Sequence, residues 1–331
     1  MDIRTQTQRA RIGDEYSAIV AVVRPILEGV LYALKRDVVA EVGGYENVKL
    51  KMLPRLYRPG DRDCGICFEY AVHDALTRGE GRVLERVNDA LLRCNIPGST
   101  VASILFGVEK TGALDLINTA KDRLTDESRL RAGTKGQPVK LKRHIDSIAS
   151  SFRRRAQAKS LPWSISGIWK ADLFVGMTES DRWVATTIKI NAQHLEGARG
   201  LRIGIVPTRE GTTDLIRMDD RNNLIVCPLP YDGGFMEIFY SGWQIVQQFI
   251  GADARVPREV FLPRQIDRHV ARLLEDRREF NVVDVIEALG SLSQPELLVT
   301  DARPAELVSR REKAILVETG AVLAPLAQLI R

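Results

Sequence analysis

Several residue types are scarce in this chain of 331 residues, and each shortage excludes a class of protein. The chain has four cysteines and four histidines, and only Cys64 and Cys67 form a C-x-x-C pair. A zinc domain or a disulfide-rich fold needs more ligands at closer spacing, so we expect reduced cysteines in a core or a loop. No run approaches the ~20 consecutive apolar residues that cross a bilayer. The start of the chain carries arginines and no apolar signal segment. We therefore expect a cytoplasmic protein with no membrane contact.

Motifs of several enzyme classes are missing as well. The sequence has no P-loop, no G-x-G-x-x-G fingerprint and no G-x-S-x-G nucleophile elbow. The composition is that of an ordinary globular protein, with 44% hydrophobic and 27% charged residues. The length predicts either two packed parts or one domain with large insertions.

The spacing of apolar residues changes along the chain and predicts an α/β fold. Gly43-Gly44 is expected to end the first helix, and Pro25 is a candidate break inside it. The predicted helices cover residues 14–42, 66–77, 79–93, 111–125, 145–156, 234–250, 264–275, 282–290 and 305–329. The predicted strands cover residues 171–175, 183–190, 201–206 and 223–227. A short helix is predicted over 212–218, and loops over 51–63 and 131–138.

Two charged residues stand inside these otherwise apolar strands. Asp172 lies in Ala-Asp-Leu-Phe-Val, and Lys189 lies in Thr-Thr-Ile-Lys-Ile on the next strand. A stray charge in an apolar strand is costly, so each residue either faces solvent on an edge hairpin or serves a site. An acid and a lysine on neighbouring strands suit phosphodiester hydrolysis. A carboxylate holds a metal ion there, and a lysine positions the attacking water and stabilises developing charge.

Asp172, Lys189 and the α-β-β-β-α-β order around them resemble the PD-(D/E)XK nucleases. The resemblance covers residues 65–77 and 171–228, about a fifth of the chain. It implies a restriction-endonuclease-like core, a mixed sheet flanked by helices, with helical additions at both ends. It also implies a DNA endonuclease that depends on Mg²⁺ (or Mn²⁺), set in a prokaryotic restriction or phage-defence system.

The resemblance implies a role for each site residue. Asp172 would bind the metal, Lys189 would act on the attacking water, and Glu69 would join from the preceding helix. The family's second acid is replaced by Thr187, so the triplet reads Thr-Ile-Lys. Glu196, just after the strand, is the most convenient substitute for that acid, and Glu69 is the other. For Glu69 a surface contact with His73, four residues on, is the plainer alternative.

A basic stretch precedes the Asp172 strand. Residues 121–159 contain twelve Lys or Arg against four Asp or Glu. Such a run is either a solvated loop or a surface for the phosphates of nucleic acid. We predict phosphate contacts, with DNA foremost and RNA left open, by Lys140, Lys142, Arg143, Arg153, Arg154, Arg155 and Lys159.

Three regions are expected along the chain: a helical region over 1–63, a nuclease-like core over 64–250, and a helical region over 251–331. The core would carry a basic insertion at about 79–162. Thr187 favours a second hypothesis, a catalytically inactive subunit of the same fold that binds nucleic acid. A scaffold for a protein partner or a homodimer is a third, suggested by the helical tail and by Phe235, Phe239, Trp243 and Phe249.

Overall fold

A computed structural model gives the architecture of the chain. It describes residues 2–57, 63–106, 122–132, 137–153, 159, 171–197, 200–208, 213–231, 234–256 and 261–292. The predictions of a helix over 305–329 and of most of the helix over 111–125 fall outside these residues.

Most of the described helices lie before or after the strands of a central sheet. They are α1 (Asp2–Ala33), α2 (Arg36–Glu41), α3 (Leu53–Leu56), α4 (Asp63–Arg78), α5 (Gly81–Arg93), α6 (Ile145–Arg153), α7 (Phe235–Gly251), α8 (Gln265–Glu275) and α9 (Val282–Leu292). Pro25 lies inside α1 without ending it, so it is not a break. The helix predicted over 14–42 ends instead at Ala33, and Gly43 and Gly44 follow the separate short helix α2, with φ angles of 85° and 122° that favour glycine.

Eight strands form one open mixed sheet. They are β1 (Val101–Leu105), β2 (Arg129–Ala132), β3 (Gln137–Lys140), β4 (Leu173–Met177), β5 (Arg182–Ile188), β6 (Arg202–Pro207), β7 (Arg217–Asp219) and β8 (Leu224–Leu229). The main order is β1-β4-β5-β6-β8-β7, and β2 pairs with both β3 and β5. β5, β6 and β8 are parallel, whereas β1, β4 and β7 are antiparallel to their neighbours. The predicted mixed α/β class is therefore confirmed.

Three further local predictions are wrong. Residues 217–219 form the edge strand β7 rather than a helix, because Asp219 accepts hydrogen bonds from Asn222 and Asn223 adopts a φ of 50°, which closes a hairpin to β8. Residues 131–132 and 137–138, expected to be loop, belong to the paired strands β2 and β3. Residues 53–56, expected to be loop, form α3. No prediction was made for the edge strand β1.

The two faces of the sheet bury different layers. On one face, side chains such as Leu173, Val175 and Ile203 pack against α1, α4, α5 and α7 to α9 in a single large core. On the other face, Phe174 and Trp183 pack with Ile145 and Ile148 of α6. The alternation of Leu173, Phe174 and Val175 between the layers is what a strand buried on both sides requires.

Helix α1 crosses the middle of the large core and packs on α4, α7 and α9. Its segment Glu15–Ala33 is, by length and composition, the one described stretch that could span a membrane. Most of that segment is buried inside the fold, as a core helix is. The helix is apolar because it is surrounded by protein.

A pair of helical glycines tests how tightly α1 packs on α4. A Cβ at Gly29 would lie 2.8 Å from the Cα of Cys67, whereas a Cβ at Gly65 would meet nothing within 4 Å. We expect Gly29→Ala to lower the free energy of unfolding by about 1–3 kcal/mol through overpacking. We expect Gly65→Ala to raise it by about 0.5–1 kcal/mol through helix propensity. Urea unfolding of both variants measures this, and equal effects of the same sign would contradict the packing described.

Candidate active site

The pairing of β4 with β5 brings Asp172 to Lys189. Leu173, the first residue of β4, pairs with Thr186, so Asp172 lies just before the ladder begins, beside Thr187. The backbone N–H of Asp172 donates to the carbonyl of Thr186 at 2.9 Å. The N–H of Lys189 donates to the carbonyl of Ile205 on β6 at 3.0 Å. Both residues therefore have a fixed backbone at the end of β5.

The carboxylate of Asp172 is buried, with 1% of its surface exposed, and three donors meet one of its oxygens. Oδ2 accepts from the Thr187 hydroxyl at 3.0 Å, from the Ile188 N–H at 2.7 Å and from the Lys189 ammonium at 2.8 Å. A buried carboxylate is stable only when such donors replace its water, and charge-assisted bonds are the strongest of them. Asp172 is thus held in one orientation.

Glu69 completes the group from the opposite side. It lies on α4, is 8% exposed, and its Oε1 is 3.5 Å from the Lys189 Nζ. The lysine is about a third exposed, so one ammonium group lies between two buried carboxylates and still faces solvent. Of the predicted site residues, the structure brings together Asp172, Lys189 and Glu69. The surface Glu69–His73 contact is not what places Glu69 here.

Glu196 does not join this group. Its side chain is exposed, and its backbone carbonyl accepts a hydrogen bond from the guanidinium of Arg202. Within the described ranges, no three Asp, Glu, His or Cys side chains lie close enough to hold one ion together. The prediction of Glu196 as a third metal ligand therefore finds no support in the geometry.

Arg202 is a residue that the sequence did not single out. It starts β6, is 2% exposed, and lies close enough to Asp172 and Glu196 for both carboxylates to favour its charge. Burial is the larger effect and lowers the pKa of Arg202. A charged residue at the start of an apolar strand was the available signal, the same one that marks Asp172 and Lys189.

His73 lies one helical turn beyond Glu69 and is partly buried against β1. Its Nδ1 is 2.9 Å from the Ser103 hydroxyl, and Arg123 donates to the backbone carbonyl of Ser103 at 2.9 Å. Burial lowers the pKa of His73 to about 4, and the positive charges of Arg123 and Arg24 lower it further. The imidazole is therefore neutral at pH 7 and adds no charge beside Glu69.

Lys140 lies at the far end of the sheet from Lys189. Lys140 pairs with Arg129, and Arg129 pairs with Arg182 at the start of β5. Lys189 instead follows the end of β5. At about 3.3 Å per residue, these ends are roughly 20 Å apart. Lys140 also contacts Glu127 at 2.8 Å. Lys142 contacts Asp126 at 3.4 Å.

The other predicted phosphate contacts are less defined. Arg143 and Lys159 are exposed. The side chain of Arg153, and Arg154 and Arg155 entirely, lie outside the described residues. The role of the basic stretch in binding phosphates remains a prediction.

The partly buried His73 gives the fold a specific pH dependence. An unfolded histidine binds a proton near pH 6.5, whereas folded His73 does so only near pH 4. Its contribution is therefore complete above pH 6.5 and is lost as the pH falls toward 4. We expect the stability advantage of wild type over His73→Asn to shrink by about 3 kcal/mol across that window. Denaturant unfolding between pH 4 and 7 measures it. The exposed His269, changed to Asn, is the control; a pH-independent difference for His73→Asn would contradict the burial described.

Comparison of the chain with protein-family models, with curated proteins and with solved structures gave no match. The fold is therefore described by its own topology, an open mixed sheet with helices on both faces. The chemistry of the site follows from its own side chains, a lysine held between two buried carboxylates beside a threonine.

Proposed function

We propose that this protein is a metal-dependent phosphodiester hydrolase that acts on DNA, with a restriction-endonuclease-like core. The single observation that carries the proposal is the position of Lys189, whose Nζ lies 2.8 Å from Asp172 and 3.5 Å from Glu69. This is the acid, lysine and helix glutamate that the resemblance to PD-(D/E)XK nucleases implies. The same resemblance suggests a prokaryotic restriction or phage-defence system in the cytoplasm as the setting.

Asp172 and Glu69 suit a Mg²⁺ ion. Mg²⁺ in phosphoryl-transfer sites commonly takes one or two carboxylates and completes its shell with waters and substrate phosphate. The three donors on Asp172 all meet Oδ2, and Glu69 reaches the same lysine from α4. When bound, the ion would supply positive charge against the scissile phosphate and a more acidic water.

The protein's own groups would orient and stabilise the reacting atoms. Lys189 is anchored at its backbone and about a third exposed at its side chain, so its ammonium can donate to an attacking water or to a phosphoryl oxygen. Thr187 and the Ile188 N–H hold Asp172 in place while Lys189 engages the substrate. Neutral His73 leaves the negative charge of Glu69 available to a cation.

One observation favours a second candidate, a nucleic-acid-binding subunit without turnover. Thr187 stands where the family has its second acid, and its hydroxyl is bound to Asp172 at 3.0 Å. Two carboxylates hold a cation less tightly than three. The aromatic residues that suggested a protein scaffold do not favour that third hypothesis, because Phe235, Phe239 and Phe249 are buried in the core and Trp243 packs against it.

A cleavage assay on supercoiled plasmid separates the two candidates. We expect the wild-type protein to nick or linearise the plasmid with Mg²⁺ or Mn²⁺, and we expect cleavage to stop when EDTA is added. Lys189→Met should lower the rate at least ~100-fold, because a charge aimed at the transition state is lost.

Lys51→Met is the matched control, since Lys51 forms an exposed pair with Glu279 in another part of the fold. It should keep the wild-type rate, and circular dichroism should show both variants folded. If wild type and Lys189→Met are equally inert and both bind DNA, the protein is a binding subunit and the hydrolase proposal is wrong.

A further inference from the structure

Two tyrosines lie at the same edge of the molecule as the candidate active site. Tyr231 follows β8 shortly after its last residue, and Tyr240 lies on α7. Lys189 follows β5, and β5, β6 and β8 are parallel, so their carboxyl ends meet at one edge of the sheet. Neither tyrosine takes part in the chemistry proposed for Asp172 and Lys189.

The tyrosine pair is built as a flat, fixed surface. The two rings are stacked, with centroids 5.6 Å apart and an interplanar angle of 14°, and their side chains are hydrogen-bonded. Phe239 supports Tyr240 edge-on at 5.4 Å. Pro228 and Pro230 restrict the backbone that leads into Tyr231. Little conformational entropy would be lost when a ligand contacts this surface.

Tyr231 is nevertheless 53% exposed. One face of its ring is covered by Tyr240, so the exposed area belongs to the other face and the rim. Burial raises the pKa of Tyr240, and the hydrogen bond to Tyr231 raises it further. An open aromatic face with a rigid backing is what a planar ligand stacks on.

Helix α4 connects the tyrosine pair to the active site. Tyr240 lies near enough to Cys64, in the first turn of α4, for the two to interact electrostatically. Glu69 is five residues further along the same helix. At 1.5 Å per residue, this is about 7–8 Å along the helix axis.

We propose that Tyr231, backed by Tyr240, stacks on an unpaired base of single-stranded DNA next to the phosphate bound at the active site. The inference rests on the proposed function, and it adds the substrate class: single strands, or duplex ends that open. Bases inside a duplex have both faces covered, whereas an unpaired base offers a free face to an aromatic side chain. Stacking accepts any base, so no sequence preference is expected at this position.

Fluorescence anisotropy in EDTA tests the proposal without cleavage. The probes are a labelled single-stranded DNA of mixed sequence, the same strand with abasic sites, and the matching duplex. We expect Tyr231→Ala to weaken binding of the single strand by ~10-fold, a typical loss for one stacked base. Tyr231→Phe and Tyr231→Trp keep the ring and should stay close to wild type. Binding to the abasic strand and to the duplex should respond little to any of the three changes.

Phe280→Ala is the matched control, because Phe280 is an exposed aromatic residue (58%) in the turn before α9. It should leave every affinity unchanged. Equal single-strand affinities for wild type and Tyr231→Ala overturn the inference, as does equal weakening on the abasic strand or by Phe280→Ala. Preference for a single-stranded RNA of the same sequence would overturn the choice of DNA.

The two proposals fail separately. If binding to single strands depends on Tyr231 but no cleavage depends on Lys189, the stacking proposal is supported and the hydrolase proposal is wrong. If cleavage depends on Lys189 but Tyr231→Ala leaves binding to single strands unchanged, the hydrolase proposal is supported and the stacking proposal is wrong.

Discussion

The contact between the Lys189 ammonium and the buried carboxylate of Asp172 is the interaction on which the site depends. Asp172 is almost fully buried, and its charge is tolerated because Thr187, Ile188 and Lys189 all donate to one oxygen. These three donors are consecutive residues at the end of β5. The register of β4 on β5 therefore sets the geometry of the site, and a slip of one residue would remove all three donors from Asp172.

Thr187 shows how the site is balanced without a metal. A second acid at this position would put two negative charges side by side, and one carboxyl would then resist ionisation. The hydroxyl of Thr187 instead donates to Asp172, and Lys189 contacts both Asp172 and Glu69. The arrangement lowers the charge available to a cation and raises the stability of the cation-free fold. The helix glutamate is consequently the second carboxylate that a cation would meet.

The sequence predicted the centre of the molecule better than its edges. Asp172 and Lys189 could be found because a charge inside an apolar strand needs a physical reason, whereas Glu69 was implied only by the resemblance to PD-(D/E)XK nucleases. The edge strands β1 and β7 and the hairpin of β2 and β3 could not be found in this way. They are short, and β1 and β2 pair with β4 and β5, which are distant in sequence. Arg202 was missed because a charge at the start of a strand usually faces solvent, and its burial depends on the connection that follows Lys189.

Crystals of the protein soaked in Mn²⁺ would test the central claim most directly, through the anomalous signal of the ion. The account predicts one Mn²⁺ bound by Asp172 and Glu69, with the Lys189 ammonium moved away from at least one of these carboxylates toward solvent. The account would be contradicted if the ion binds elsewhere, or if the Lys189 ammonium keeps its contacts with both carboxylates at saturating Mn²⁺.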